Sequence, residues 1–431
     1  MNNFAKQFMR LFALDENRFT PDFNDMLKII ILNSLGFFFI GFLIPILARQ
    51  NMNASGFQVS LLISLQVLGR TLSGVTSGYF TDRLKNRSIL ILIGSFGRGI
   101  SYFLIYFSIV INSILTLEIG MFSLGFMAGV FWIPLNTLIA EKSNKENRSQ
   151  AYGKKNSANA IGQIFGALFG FNLLIIASYF TSSSLILYGS IPIFGIANFI
   201  AGIKFFKEID ESIKFEQKNE QSEIEIEYEK ETFTKPLVFG IAFLFIVILV
   251  SSINSSIAKP FLNIYMIENI ESNIQLVTYA YLPAGILATL LAPKVGELID
   301  KLKPAIGITI TSSLGALVTW FLINSLNIWI FSILLLFDLM IAIATELILQ
   351  NLISRISLQH RGKILGIGDF FLASGNVMGP LFGGILWDII GPKSPFIISI
   401  FVELSLIPLY LIVAYILIPN LTENYEKKDN K

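Results

Sequence analysis

Cysteine is absent from this chain of 431 residues, and histidine occurs once, as His360 in a polar stretch. Disulfides, thiol nucleophiles and cysteine metal sites are therefore excluded, and one histidine does not build a histidine-rich metal cluster. The phosphate-binding Gly-x-x-x-x-Gly-Lys-Ser/Thr motif is missing, as are His-Glu-x-x-His and Gly-x-Ser-x-Gly. The sequence argues against an enzyme, and we expect no metal and no cofactor.

Charge is also scarce. Charged residues make up 14% of the chain and hydrophobic residues 53%, and the mean hydropathy is +0.66. A soluble protein of this length needs more charge to cover its surface. Apolar blocks of about 18 or more residues recur, long enough to cross a bilayer as helices. We predict an all-α membrane protein with twelve spans, numbered in order: 28–49, 57–80, 88–110, 114–140, 151–178, 183–205, 236–264, 273–299, 304–323, 327–353, 362–387 and 394–418.

A long polar segment divides these spans into two sets of six. It is rich in Glu and too charged to enter lipid, so we interpret it as a cytosolic linker. The predicted organisation is a cytosolic N-terminal tail, a six-helix bundle, an acidic linker, a second six-helix bundle and a cytosolic C-terminal tail, covering 1–27, 28–206, 207–235, 236–418 and 419–431.

The positions of Lys and Arg predict the orientation, because these residues mark the cytosolic side of a membrane. They concentrate in the loops after spans 2, 4, 8 and 10, in the linker and in both tails. The opposite side has only Arg49, Lys393 and Lys259, the last near the outer end of span 7. We therefore place both termini in the cytoplasm and the protein in the cell membrane. Three tryptophans then fall at the outer interface, as in an aromatic belt: Trp320, Trp329 and Trp387.

The chain contains an internal repeat. Gly78-Tyr-Phe-Thr-Asp82-Arg83-Leu-Lys85 follows span 2, and Gly296-Glu-Leu-Ile-Asp300-Lys301-Leu-Lys303 follows span 8 at an offset of 218. At an offset of 213, Arg148, Gly153, Gly162, Gly166 and Gly170 are repeated as Arg361, Gly366, Gly375, Gly379 and Gly383. Two homologous six-helix bundles are the architecture of a secondary transporter that works by alternating access.

The repeated residues have two candidate uses. A carboxylate at the cytosolic end of a helix can accept backbone N–H groups from a neighbouring helix start, forming a latch that opens as one half moves. Tight loop anchoring is the alternative, and we favour gating for Gly78, Asp82, Arg83, Arg87, Gly296, Asp300, Lys301, Arg148 and Arg361. For the glycine-rich positions we favour close helix packing: Gly162, Gly166, Gly170, Gly375, Gly379, Pro380, Gly383 and Gly384.

These motifs make the chain similar to the major facilitator superfamily over nearly its whole length. Gly78, Asp82, Arg83 and Arg87 match the signature loop of that superfamily, and the loop containing Asp300 matches its weaker echo. The resemblance implies a monomer with alternating access around a cavity lined mainly by spans 1, 4, 7 and 10, usually driven by an ion gradient. It also implies that Asp82 meets the start of span 11 and that Asp300 meets the start of span 5.

Two departures bear on the direction of transport. Glu118 lies in a stretch of span 4 where drug/proton exporters of the superfamily carry an Arg, and Ala167 replaces the proline that would follow Gly166 in their span 5. The leading hypothesis is a carrier of a small solute, coupled to an ion, with a proton favoured. Multidrug or product efflux rather than metabolite uptake is one alternative. A non-transporting sensor or scaffold is another, and no nucleic-acid partner is expected.

Charges at membrane depth are costly, so each is a functional candidate. The N-terminal half holds bases and the C-terminal half holds acids: Arg70, Arg98, Asp338, Glu346 and Asp369. One hypothesis is that Asp338 carries the coupling proton and that Arg70 or Arg98 binds an anionic part of the substrate. The alternative is pairing within a bundle. We prefer it for Arg98 and for Glu403, whose spans the resemblance places at the periphery.

Polar and aromatic residues on the four cavity spans complete the candidate pathway. They could bind a substrate or cavity water, or join helices to one another. A mixture of aromatic and amide groups fits an amphipathic or weakly polar solute. The candidates are Asn33, Phe37 and Phe38 in span 1, Trp132 and Asn136 in span 4, and Ser251, Asn254 and Ser255 on one face of span 7.

Overall fold

The computed structural model of the protein describes residues 18–84, 86–144, 148–215, 235–299, 304–354, 361–417 and 419. The predictions that concern Asp300 and Lys301 lie outside these residues. Within them the chain is almost entirely helical, and β-pairing is limited to one isolated bridge between Phe19 and Ser143.

The helices follow the predicted spans. Spans 1 to 6 comprise Phe23–Ser34 with Phe37–Gln50, Gly56–Arg83, Ser88–Val110, Ile114–Glu141, Arg148–Phe180, and Ser184–Leu187 with Ser190–Glu208. Spans 7 to 12 comprise Lys235–Ile257 with a 3₁₀ turn Lys259–Phe261 and Leu262–Asn269, then Ile274–Ile299, Pro304–Ile323, Ile328–Ser354, Arg361–Ile389 and Ser394–Leu417. Among the described residues, eleven spans are long and apolar enough to cross a membrane, and span 8 contributes the shorter apolar helix Ile274–Ala288.

The all-helical membrane fold is thus confirmed, but two predicted boundaries were wrong. Span 1 begins at Phe23 rather than at 28, because the polar residues before Lys28 form a helical turn whose apolar side, with Met26 and Leu27, is buried. Span 7 continues to Asn269 beyond a break at Lys259 and Pro260, where proline interrupts the helix without ending the apolar segment.

The chain forms two compact units. The N-terminal unit contains 1–54 and 65–224, and the C-terminal unit contains 55–64 and 225–431. In the N-terminal unit, span 3 packs on spans 4 and 6, and span 1 packs on spans 5 and 6. In the C-terminal unit, span 9 packs on spans 10 and 12, and span 7 packs on spans 11 and 12. The internal repeat of the sequence is therefore also a repeat of helix packing.

Span 1 is broken in its middle. The two helices meet at Leu35 and at Gly36, which has φ +82°, a left-handed conformation that strains any residue with a side chain. A methyl group at Gly36 would also lie 2.5 Å from the ring of Phe194 in span 6. Span 7, the corresponding helix of the other unit, is broken near Lys259, so both units contain a discontinuous first span.

The glycine-rich stretches bring spans 5 and 11 close to these broken helices. A methyl group at Gly166 would lie 2.5 Å from the Gly36 amide nitrogen, and one at Gly375 would lie 2.8 Å from the Leu249 carbonyl oxygen. The other ladder positions face the same partners: Gly162 and Gly170 face Ile31 and Phe39, and Gly379 and Gly383 face Ile253 and Ile257. Gly384 faces Phe57 and Ser60 instead, and Pro380 lies inside the helix of span 11.

The three tryptophans of the predicted aromatic belt differ in exposure. Trp320 and Trp329 are about half exposed, whereas Trp387 is only 4% exposed. Its ring stacks on Phe261 with centroids 4.7 Å apart. The interface position of Trp387 stays a prediction, and the 3₁₀ turn of span 7 supplies an aromatic partner that the sequence pattern does not reveal.

The broken span 1 generates a stability prediction. We expect Gly36→Ala to lower the free energy of unfolding through about 1–2 kcal/mol of backbone strain and about 1–3 kcal/mol of overpacking against Phe194. Thermal unfolding of the purified protein in detergent measures the change. Gly41→Ala is the matched control, since a methyl group there meets no atom within 4 Å. Equal unfolding midpoints for the two variants would contradict this account of the break.

Candidate functional site

A group of polar side chains lies inside the C-terminal unit where spans 7, 9, 10 and 12 meet. Asn254 donates its side-chain N–H to Glu403 Oε2 at 2.6 Å, and Thr319 donates its hydroxyl to Asp338 Oδ1 at 3.5 Å. Asp338 is also an electrostatic neighbour of Glu403 and of Tyr281 in span 8. Two carboxyl groups from different helices therefore share one interior site, and no basic side chain is among the described groups that act on Asp338.

Glu403 was not among the predicted pathway residues. Pairing within the bundle was preferred for Glu403, and its side chain pairs there with Asn254 of span 7 and lies beside Ser312 of span 9. Tyr410, two turns further along span 12, lies beside Ser251. The sequence does show that Glu403 is a carboxyl group in an otherwise apolar span, which indicates a candidate functional residue. It does not show which residues of other helices contact Glu403.

The corresponding position in the N-terminal unit is built around Arg98 rather than around acids. The Arg98 guanidinium donates to Asn33 Oδ1, Asn33 Nδ2 donates to Ser95 Oγ at 2.6 Å, and Ser95 donates to the Asn198 carbonyl at 2.9 Å. Arg98 is 1% exposed and Asn33 is fully buried. This is the pairing within the bundle that was preferred for Arg98, and it also engages Asn33.

The two interior networks use equivalent helices. Spans 1 and 7 supply Asn33 and Asn254, and spans 3 and 9 supply Ser95 and Ser312. Spans 6 and 12 supply Asn198 and Glu403. Span 3 adds Arg98, whereas Gly315 of span 9 lies beside the Glu403 side chain. The repeated scaffold thus holds a cation in one unit and carboxyl groups in the other.

The three polar residues predicted to share one face of span 7 have different surroundings in the structure. Ser251 and Asn254 point to span 12, but Ser255 is exposed and bonds to the carbonyl of Ser252 in its own helix. Ser252 and Ser256, which the prediction omitted, are buried and bond to carbonyls of Leu372 and Gly375 in span 11. Ser252 and Ser256 therefore join span 7 to the glycine-rich span 11 by hydrogen bonds.

A basic and aromatic group lies in the N-terminal unit. Lys155 of span 5 donates to Asn136 Oδ1 at 3.1 Å and lies 5.6 Å from the ring centroid of Trp132. Tyr152 donates its hydroxyl to the Asn136 carbonyl at 3.1 Å, and Arg70 of span 2 lies within electrostatic range of Lys155. The predicted residues Trp132, Asn136 and Arg70 are thus brought together around Lys155, which the sequence argument missed.

The remaining pathway candidates lie apart from these groups. Phe37 and Phe38 are half-buried at the break in span 1, and Asp369 is exposed on span 11. Glu346 is exposed on span 10 and is an electrostatic neighbour of Lys259. Lys259 lies ten residues before the end of the apolar segment Leu237–Asn269. Its predicted place at the outer end of span 7 was therefore wrong, because the span continues past the break.

The predicted gating residues of the first loop lie at the end of span 2. Asp82 and Arg83 are exposed, and the Arg83 guanidinium lies 3.9 Å from the Tyr79 ring centroid. A methyl group at Gly78 would meet no atom within 4 Å. The contact of Asp82 with span 11 stays a prediction. Arg148 is exposed at the start of span 5, and Gly296 and Arg361 lie within the helices of spans 8 and 11.

Arg87 is the signature-loop residue with the most described contacts. Its guanidinium pairs with Glu141 at the end of span 4 and donates from Nε to the Thr81 carbonyl at 3.0 Å. Glu141 also pairs with Lys214 at 3.2 Å. The Glu211 carboxylate accepts the backbone N–H groups of Arg87 and Ser88, which caps span 3. The loop is therefore held to the ends of spans 4 and 6.

A second ion pair lies at the same end of the N-terminal unit. The Lys142 ammonium pairs with Asp22 and donates to the carbonyls of Asp210 and Ile213 at 2.8 and 3.1 Å. Thr20 donates its hydroxyl to Asp22 at 2.7 Å. The Lys142 side chain is 1% exposed, so its three partners replace the water that it loses. This pair joins the segments before span 1 and after span 6.

Asp388, at the end of span 11, caps the start of span 2. Its carboxylate accepts the backbone N–H groups of Gly56 and Phe57 at 2.7 and 2.9 Å, at the start of span 2. These residues belong to the segment 55–64 of the C-terminal unit. A carboxylate at a helix start is favoured by the unpaired N–H groups and by the helix dipole.

The contacts of Arg87 lead to a prediction about stability. We expect Arg87→Gln to lower the free energy of unfolding by about 1–3 kcal/mol, because it removes the Arg87–Glu141 ion pair and the charged donor to the Thr81 carbonyl. Lys214→Gln is the matched control and should cost less than about 1 kcal/mol, because the Lys214 side chain is 59% exposed. Thermal unfolding in detergent compares them, and a larger loss for Lys214→Gln would contradict the assignment.

Comparisons with known proteins agree with this architecture. The sequence profile of the Major Facilitator Superfamily matches residues 27–357. None of the curated sequences compared with this chain is significantly similar to it. Among solved structures, the bacterial homologue of the human lysosomal transporter Spinster, in an inward-facing and unoccupied conformation, has a TM-score of 0.72 at 14% identity, covering 94% of this chain and 100% of that one.

Two other similar structures are transporters. A structure on substrate recognition in proton-dependent oligopeptide transporters has a TM-score of 0.67 at 12% identity, covering 92% of this chain and 98% of that one. A nucleoside transporter has a TM-score of 0.63 at 13% identity, covering 90% and 98%. The family profile, the repeated six-helix packing and the signature loop show together that this chain belongs to the major facilitator superfamily and is a secondary transporter.

Proposed function

We propose that this transporter couples movement of a small solute to movement of protons, by alternating access. The observation that carries this proposal is the interior site that holds Asp338 and Glu403 together. A carboxyl group inside a membrane protein is costly while charged, and proton relays are a common reason for keeping one there. Because both groups titrate as carboxylic acids, their site can gain or lose a proton during the transport cycle.

The charge difference between the units supports the choice of the C-terminal unit for coupling. Arg98 occupies the equivalent site of the N-terminal unit, and a guanidinium stays charged throughout the physiological pH range. Asp338 and Glu403 are linked through hydrogen bonds to spans 7 and 9. Protonation there changes the bonding between helices of the bundle, which gives a physical route from proton binding to helix movement.

The solute site is proposed on the cavity-facing spans. Trp132, Asn136, Phe37 and Phe38 offer aromatic surface with an amide, which suits a small amphipathic solute. The structurally similar proteins are described as carriers of oligopeptides and of nucleosides, so this fold accommodates different solutes. We propose that Asp82, Asp300 and their neighbouring bases act as gating loops, as the superfamily resemblance implies.

The coupling proposal is tested with protein reconstituted in liposomes. A solute that stabilises the protein in a thermal-shift screen is used for uptake with an inward proton gradient, and internal pyranine reports proton entry. We expect the gradient to accelerate uptake and solute to cause proton entry. Asp338→Asn should abolish both effects while solute exchange without a gradient continues, because an amide cannot carry the proton.

Glu118→Gln is the matched control, since it removes a carboxyl group from span 4 of the N-terminal unit. It should keep both the accelerated uptake and the proton entry. Uptake by Asp338→Asn that still follows the proton gradient would remove Asp338 from the coupling step. Inverting the gradient in the same liposomes measures whether the solute moves with the proton or against it, and thus distinguishes uptake from efflux.

We also propose that the protein lies in the cell membrane with both termini in the cytoplasm, as the distribution of Lys and Arg indicates. The absence of cysteine makes labelling direct, because every reactive thiol is introduced. We expect a membrane-impermeant maleimide to label Leu326→Cys in whole cells, and Asn86→Cys only after the membrane is opened. Both positions are exposed in the structure. Labelling of both in whole cells would contradict the orientation.

A further inference from the structure

Two cations in the N-terminal unit lie close enough to repel one another. Arg70 lies midway along span 2, and Lys155 lies two turns into span 5, where each is within the electrostatic range of the other. Lys155 donates to Asn136 Oδ1, a neutral acceptor. Within the described part of the chain, the Arg70 side chain makes no hydrogen bond and no ion pair. The other charged group near Arg70 is Arg98, which is also a cation.

No acid in the described part of the N-terminal unit is shown to neutralise this pair. Glu141 is engaged by Arg87 and Lys214, and Asp25 is engaged by Lys28. Neither Glu118 nor Asp82 is among the described groups that act on Arg70 or Lys155. Two like charges inside a membrane-spanning bundle are costly, and an anion that binds between them relieves both the repulsion and the lost hydration.

Aromatic rings beside Lys155 indicate that the anion also has an apolar part. The ammonium lies 5.6 Å from the ring centroid of Trp132 and 5.7 Å from that of Tyr152. Tyr152 is held by its hydrogen bond to the Asn136 carbonyl. Two aromatic rings beside a cation provide flat apolar surface for the body of a ligand whose charged end binds the cation.

We propose that Arg70 and Lys155 bind the anionic group of an amphipathic organic anion, with Trp132 and Tyr152 packing against its apolar part. The guanidinium offers paired N–H donors that match a carboxylate or a phosphate, and the ammonium supplies a compact charge. This inference rests on the proposed function in that the anion is taken to be the transported solute. Binding itself does not depend on proton coupling at Asp338.

Ligand binding to the purified full chain tests the site. The probes are benzoate and phenyl phosphate, which carry the two anionic groups on the same ring, with benzylamine and benzyl alcohol as cationic and neutral controls. We expect at least one anion to raise the thermal unfolding midpoint saturably, and neither control to do so. Comparing benzoate with phenyl phosphate tells whether the site prefers a carboxylate or a phosphate.

Variants assign the binding to the two cations. Arg70→Gln and Lys155→Gln should each weaken anion binding by about tenfold or more, because each removes a charged partner of the anion. Lys154→Gln is the matched control from the neighbouring position. The Lys154 ammonium faces the ring of Phe19 at 5.0 Å, and binding should be unchanged. Arg70→Lys keeps the charge and should retain more affinity than Arg70→Gln, which separates charge recognition from a folding defect.

Three results would overturn the proposal: no binding of either anion, equal binding of benzylamine, or anion affinity that survives the combined replacement of Arg70 and Lys155 by Gln. The outcome is independent of the coupling test. Anion binding that needs Arg70 and Lys155, together with uptake by Asp338→Asn that still follows the proton gradient, would refute only proton coupling at Asp338. Loss of proton coupling in Asp338→Asn, together with anion binding that does not need Arg70 and Lys155, would refute only the anion site.

Discussion

A bilayer interior holds no water to satisfy a polar group, so every donor, acceptor or charge at that depth needs a partner within the protein or a place on a hydrated path. This constraint organises the interior of both units. Arg98 is bonded to Asn33, and Glu403 is bonded to Asn254. Even Ser252 and Ser256 of span 7 donate to carbonyls of span 11. The Arg70 side chain has no such partner among the described residues, which is why we propose a ligand for it.

The same constraint limits where a helix can be broken. The break at Gly36 lies against Gly166 of span 5, and the serines of span 7 pack on Gly375 and Gly379 of span 11. Glycine lets the neighbouring backbone approach closely enough to cover the interrupted region. The first helix of each repeat is discontinuous, and discontinuous helices form the binding sites of other secondary transporters. The glycine-rich close packing therefore lies on the same pairs of helices as the breaks.

The two units use one packing scheme for different chemistry. The interior network of the N-terminal unit holds the fixed cation Arg98, and that of the C-terminal unit holds the carboxyl groups of Asp338 and Glu403, which can take up protons. A fixed charge suits recognition, because it does not change with pH, whereas a titratable group suits coupling. This division explains why the internal repeat of helices need not be a repeat of functional residues.

Composition and spacing alone determined that the chain folds in lipid, that it has two sets of six spans, and that the loop around Asp82 belongs to the superfamily. These properties depend on local runs of residues, which the sequence displays directly. The partners of individual polar side chains were decided only by the tertiary structure. Arg98 donates to Asn33, Glu403 accepts from Asn254, and Lys155 lies beside the Trp132 ring. In each case the partner comes from another helix. The rotation of a helix about its axis is set by packing against its neighbours, and an almost uniformly apolar span carries too little pattern to reveal it.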